Sequence, residues 1–147
     1  MNAVVLSIQV GLPRELESEK PWTSGFLKES VVEPIWLGAT NLAGDGQADL
    51  EHHGGPHKAV CVYSNEHYPY WRQQLHNPEL SGGDFGENVT IDGLSERDVC
   101  IGDVWSIGGA VVQVSQPRQP CWKLARRWAV KDLALQVQQT GFTGWYF

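Results

Sequence analysis

Apolar and polar residues alternate at every second position in several short stretches of this chain, and the period lengthens to three or four in a few others. Val4, Leu6, Ile8 and Val10 alternate with Val5, Ser7 and Gln9, which predicts a strand over residues 3–10, ended by Gly11 and Pro13. Residues 14–26 are polar and irregular and read as a surface loop with solvated charges. Residues 30–37, SVVEPIWL, read as a second strand that Pro34 confines to an edge or a bulge. Residues 59–63, AVCVY, read as a third. In residues 64–75 the period is helical: Ser64 can cap, Pro69 fits the first turn, and Tyr68, Trp71 and Leu75 share one face. A short strand follows at residues 87–91, closed by the hairpin signal Asp92-Gly93. Residues 99–107 and 110–115 pair through Gly108-Gly109, with residues 111–115 expected as an interior strand. Residues 130–139 predict a surface helix, with Val130, Leu133 and Val137 on one face and Gly141 as its stop.

About six short strands with two or three helices predict a mainly β fold, a mixed barrel in a single domain spanning residues 1–147. Helices do not regularly follow strands, which disfavours a doubly wound parallel sheet. The chain has 147 residues, enough for one core. Its net charge of −6 argues against general nucleic-acid binding. There is no run of eighteen apolar residues, and the strand-like N-terminus lacks the basic flank of a signal peptide. Three widely spaced cysteines make no disulfide framework and suit a reducing cytoplasm.

The chemistry concentrates in residues 111–124, VVQVSQPRQPCWKL. Pro117 and Pro120 stop the strand, and Trp122, Leu124, Ala125 and Trp128 mix with Lys123, Arg126 and Arg127 as in a short helix. Cys121 thus falls where strand hands over to helix, next to cationic side chains that favour thiolate, the nucleophilic and metal-binding form. Arg118 is placed to meet an anion. Cys61 and Cys100, in the runs AVCVY and DVCIGD, read instead as small buried hydrophobes. A second polar stretch, residues 41–57, carries Gly44, Gly46, Gly54 and Gly55, whose backbone can approach a ligand closely. Asp45 and Asp49 read as turn caps. The spacing of His52, His53 and His57 matches no zinc pattern.

Four stretches together resemble the MOSC domain, the family named after the C-terminal domain of molybdenum-cofactor sulfurase. They are residues 44–49 (GDGQAD), 53–56 (HGGP), 83–88 (GDFGEN) and 115–121 (SQPRQPC). Ile101-Gly102-Asp103 adds a fifth, and Thr23, Lys28, Trp71 and Gly144-Trp145-Tyr146 bring the pattern nearest to the YiiM-like branch. The match runs nearly end to end, in order. It implies a MOSC-type barrel, molybdenum cofactor (molybdopterin) as the cofactor, and a site at the cysteine loop. Cys121 would be the catalytic molybdenum ligand or sulfur carrier, and His53, Gly54, Gly55, Phe85, Glu87, Asn88 and Arg118 would converge around the cofactor. Core packing competes as the role of Phe85, and loop bracing as that of Glu87 and Asn88. The family is also associated with pyridoxal phosphate, although nothing here marks a Schiff-base lysine.

The resemblance further implies reduction of N-hydroxylated compounds such as hydroxylaminopurines, fed by an electron-transfer protein. Two other functions compete: a non-redox sulfur or cofactor carrier bearing a persulfide on Cys121, and a metal-free thiol enzyme with His53 as base. Relatives continue past Gly-Trp-Tyr with one more strand and a further segment, whereas this chain stops at Phe147. Either those pieces are lacking, and with them a docking site for the electron donor, or a partner subunit in a homodimer supplies a strand.

Overall fold

The N-terminal run forms β1 (Val4–Val10), but its two ends face the core in opposite phase. Val5, Ile8 and Val10 pack against the core, whereas Val4 and Leu6 point outward. A register shift between Val5 and Ser7, against the partner strand, supplies the odd residue this needs. The structure, a computed structural model, describes residues 2–147. The further strands are β2 (Arg14–Leu16), β3 (Trp22–Ser24), β4 (Glu29–Ser30), β5 (Cys61–Ser64), β6 (Val89–Asp92), β7 (Val104–Ile107), β8 (Ala110–Gln113), β9 (Gln116–Pro117) and β10 (Trp145–Tyr146). Three helices join them: α1 (Tyr68–Gln74), α2 (Trp122–Trp128) and α3 (Leu133–Thr140).

Six strands form one sheet in the order β4-β1-β6-β5-β10-β9. All neighbours are antiparallel except β5 and β6, which run parallel. A parallel pair needs a crossover, and the segment carrying α1 provides it. β5 is buried along its whole length, as expected of a strand covered on both faces. Val62 turns to one core, with Val89, Ile91, Val114 and Trp145. Its neighbour Tyr63 turns to the other, with Tyr68, Trp71, Phe85, Leu124 and Leu133. Strand periodicity thus splits the interior into an aliphatic layer and an aromatic layer under the helices.

The mainly β class with three helices is as the alternation predicts, but several details differ. The sheet does not close among the described residues: β4 and β9 are its edges, so no barrel forms there. Residues 14–26 are not a loop, because β2 and β3 pair as a ribbon. Residues 30–37 are mostly irregular, with one isolated bridge from Leu37 to Leu42, since Pro34 removes a ladder donor. Asp92-Gly93 starts no hairpin, because β6 pairs with β1 and β5 instead. The Gly108-Gly109 hairpin exists as β7–β8, a separate ribbon; Val112 and Val114 are buried, but Val111 is 72% exposed, so this stretch is half solvent-facing rather than interior. Cys100 is exposed, not buried. The last helix begins at Leu133, with Leu133 and Val137 inward and Gly141 ending it at positive φ. Among the described residues no helix is long and apolar enough to cross a membrane.

Candidate functional site

The strand expected to run up to the prolines stops at Gln113, and Pro117 instead closes the two-residue β9, opposite Trp145, while Cys121 stands at the N-cap of α2 in an extended conformation. Its side chain makes no capping hydrogen bond, and the residue lines a cavity. That cavity is walled by the end of β3, the 46–58 loop, the start of β5, the 118–123 turn and Tyr146 of β10. Of the residues expected around the cofactor, His53, Gly54, Asn88, Arg118 and Cys121 lie on its wall, as does Gly46 of the glycine-rich stretch.

Gly54 has φ +95, and a Cβ there would stand 2.8 Å from Gln47 Oε1. Any other residue would be strained in backbone and crowded by Gln47. Gly55, at φ +83, shapes the same turn without lining the cavity. Asn88 lines it with both ends of its amide engaged: Oδ1 accepts from the Cys61 N–H at 3.0 Å, and Nδ2 donates to the Gln9 carbonyl at 3.2 Å. It ties β5 to β1 across the sheet. Phe85 and Glu87 stand behind the wall. Phe85 sits in the aromatic core. The Glu87 carboxylate accepts from the Tyr68 hydroxyl, from the Gly83 and Phe85 N–H groups at 2.8 and 3.1 Å, and from Thr90 Oγ1 at 3.0 Å. Those bonds knot the GDFGEN loop and leave the carboxylate fully occupied.

The wall also holds residues that the sequence reading did not mark as site residues: Lys28, Gln47, Lys58, Cys61, Lys123 and Tyr146. Lys28 is neutralised by buried Asp45 at 2.6 Å, and the same Asp45 oxygen accepts from the Gly11 N–H at 2.9 Å. Asp45 is thus a buried strut rather than a turn cap, whereas Asp49 does cap its own turn through the N–H groups of Glu51 and His52. Lys58 reaches the His52 carbonyl at 2.6 Å. Among the described residues, Lys58, Arg118 and Lys123 form no ion pair, although Lys123 is buried. Gln47 Oε1 is buried without a hydrogen-bond partner. Lys123 had a visible signal, two residues after Cys121. Cys61 had none, since its apolar run hides that its strand starts at the cavity.

Burial and charge together set the protonation of the neighbours. Partial burial, then the charges of Lys123 and Lys58, hold the His53 imidazole below its ordinary pKa of 6.5 and keep it neutral at neutral pH. Burial raises the Cys61 thiol, with Arg118 pulling the other way. Burial likewise raises the Tyr146 hydroxyl. Burial opposes the charge on Arg118, but Cys61, Tyr146, Glu87 and Cys121 outweigh it and raise its pKa above the ordinary value. In a chain of net charge −6, this cavity is a local reversal of sign. Unpaired, partly desolvated cations and an orphaned acceptor are costly unless a ligand satisfies them, so the donor set fits an anion that also carries N–H groups.

From the far side of the sheet a second arrangement holds the turn. His67 Nε2 meets Glu96 Oε2 at 2.7 Å, Glu96 Oε1 accepts from the Gly144 N–H at 2.7 Å, and the Gly144 carbonyl accepts from the Arg118 N–H at 3.0 Å. Gly144 has φ +75, and a Cβ there would lie 2.2 Å from the Val62 carbonyl oxygen.

A family model described as "MOSC domain" matches residues 49–147. The chain is similar to "Uncharacterized protein YflK" of Bacillus subtilis (strain 168), 55% identical over 144 residues, covering 97% of this chain and 65% of that protein. It is 34% identical over 145 residues to "Reductase" of Gibberella moniliformis (strain M3125 / FGSC 7600), covering 97% of this chain and 26% of that protein. Among solved structures it resembles YiiM from Geobacillus stearothermophilus, with TM-score 0.80 and 40% identity over 99% of this chain and 67% of that one. The chain spans less than two thirds of the length of these curated relatives.

Proposed function

Because the chain belongs to the MOSC domain family, we propose that its cationic cavity binds molybdenum cofactor, with Cys121 as the soft ligand to the metal, and that the loaded protein reduces N-hydroxylated bases of the hydroxylaminopurine type. The observation that carries this reading is the unpaired cluster Lys58, Arg118 and Lys123 beside the uncapped Cys121 thiol. Arg118 and the two lysines would hold the phosphate, Gln47 Oε1 would accept from ring N–H groups, and thiolate sulfur suits a thiophilic metal. When bound, the group supplies a redox-active metal. Reducing an N-hydroxylamine to the amine takes up two electrons and two protons and releases water, and the electrons come from a separate electron-transfer protein. An anion that offsets Lys123 and Lys58 would make the His53 imidazole easier to protonate, while its burial still opposes the charge. A relative named a reductase supports the reaction class. In the same reading the open sheet belongs to a barrel completed by strands from outside these residues, and the free thiols suit the cytoplasm.

The test is expression in a host that makes molybdopterin, followed by metal analysis and an assay with 6-N-hydroxylaminopurine and a reductant. Near-stoichiometric molybdenum that Cys121→Ser loses, together with activity, is expected; metal retained in the mutant would overturn the ligand assignment. A second reading, a sulfur carrier with a persulfide on Cys121, draws on Cys61 and Cys121 sharing one wall. Cyanide-releasable sulfur without molybdenum would favour it.

A further inference from the structure

Immediately outside the cationic cavity the wall widens into a groove. The two share His53, Lys58, Gln119, Cys121 and Tyr146, so Cys121 stands at the passage between them. The inner cavity is small, about 80 Å³, and the groove is far larger, about 780 Å³. The first suits an anionic group with the edge of a ring at Gln47, and the second has room for the body of a bicyclic ring. The chemistry changes with the space. Carboxylates appear, Asp49 and Glu51, and Pro117, Pro120 and Trp122 bring apolar surface.

Trp122 is the unusual member. It follows Cys121 directly, and the residue is 54% exposed although it lines a concave surface. It is not loose. The buried Trp22 ring of β3 stands 5.6 Å away, and the guanidinium of Arg126 lies 5.7 Å from the indole and 5.6 Å from Trp22. Arg126 is tied in turn to Ser18 Oγ at 3.1 Å. Lys123 Nζ also lies over the ring, 5.8 Å from its centroid. An exposed indole held by these neighbours on the wall of a groove is a preorganised stacking surface. Around it, the Glu51 carboxylate and the Gln119 amide make no hydrogen bond among the described residues, and both can read the edge of a ring bearing N–H groups.

We propose that the groove is a subsite for a planar, N–H-bearing bicyclic heteroaromatic ring, and that Trp122 is its stacking platform and specificity-determining residue. The proposal rests on the reading above only for which ring arrives: the substrate's purine or the cofactor's pterin. Stacking tolerates either, because every such ring presents a π face. A non-planar N-hydroxy compound gains nothing from the indole and is discriminated against.

The experiment uses the chain purified from a host unable to make molybdopterin. Adenine and pterin are titrated separately by calorimetry, with tryptophan fluorescence quenching alongside, into wild type, Trp122→Phe and Trp122→Ala, each checked by a melting curve. Trp122→Phe should keep most of the affinity, whereas Trp122→Ala should lose about five- to a hundredfold. Repeating the adenine titration on cofactor-loaded protein separates the sources: retained binding assigns the platform to the substrate, and blocked binding assigns it to the pterin. Equal affinity in wild type and a folded Trp122→Ala protein would overturn the proposal, as would no ring binding by wild type. Either result leaves the cofactor reading standing, because molybdenum content is measured independently.

Discussion

At the scale of single residues, the three cysteines separate by environment. Cys121→Ser should abolish cofactor-dependent reduction and leave the melting temperature nearly unchanged, since the side chain makes no cap and the residue lines a cavity. Cys61→Ser puts a hydroxyl into a buried strand and should cost about 1–3 kcal/mol. Cys100→Ser, at an exposed position, should stay within about 0.5 kcal/mol of wild type. Melting curves of the three mutants check the ranking, and a destabilised Cys121→Ser would contradict it. His53 gives a pH prediction with a definite sign. Its folded pKa lies below 6.5, so the unfolded chain takes up this proton at higher pH than the folded one does. Its effect on stability is nil above that value and grows as a penalty while pH falls below it, until the folded imidazole protonates too. Filling the cavity with phosphate should move the pKa back up. Titration of the His53 ring protons by NMR, with and without phosphate, reads this directly; a value that does not move would mean the anion binds elsewhere.

At the scale of elements, the 115–121 turn is held from both sides, by its prolines and by the His67–Glu96–Gly144 arrangement behind it. Burial raises the Glu96 carboxyl, but hydrogen bonds from His67 and the Gly144 N–H more than offset that, and its pKa falls below the ordinary 4.5. A depressed carboxyl contributes stability that is complete above its ordinary value and is lost as pH falls through the folded one. Glu96→Gln should therefore flatten acid destabilisation below about pH 4.5, seen in melting temperatures across pH, and an unchanged acid limb would count against the clamp. This clamp was illegible in the sequence, because Glu96 and Gly144 are far apart in the chain and the Gly-Trp-Tyr pattern carries no sign of its partner Glu96. What could be read was local. No strand continues past Pro117, which cannot donate to a ladder, and the Tyr68, Trp71, Leu75 spacing can bury only one face. What could not be read depended on partners. Leu16 and Trp22 become strand only because they pair with each other, and Val4 faces solvent only because a bulge in β1 reverses its phase. The candidate site divides the same way: Cys121 and Arg118 stand out chemically, whereas Lys58 and Lys123 matter because nothing neutralises them, which no spacing shows.

At the scale of the molecule, the cavity draws on residues from Ser24 to Tyr146, so it exists only when the whole sheet does. β10 is two residues long yet lies between β5 and β9 and is fully buried. Its position late in the chain makes it the last described strand to leave the ribosome, and its partner β5 lies some eighty residues earlier. Contacts that distant must first meet the cost of closing a long loop. The pocket is thus absent from the nascent chain until β10 has emerged, and an anionic ligand has nothing to hold until that strand docks. Ligand loading then follows folding rather than templating it. In stopped-flow experiments phosphate should slow unfolding while leaving the refolding rate unchanged, because a ligand that contacts only the finished sheet acts on the native state and not on the barrier leading to it.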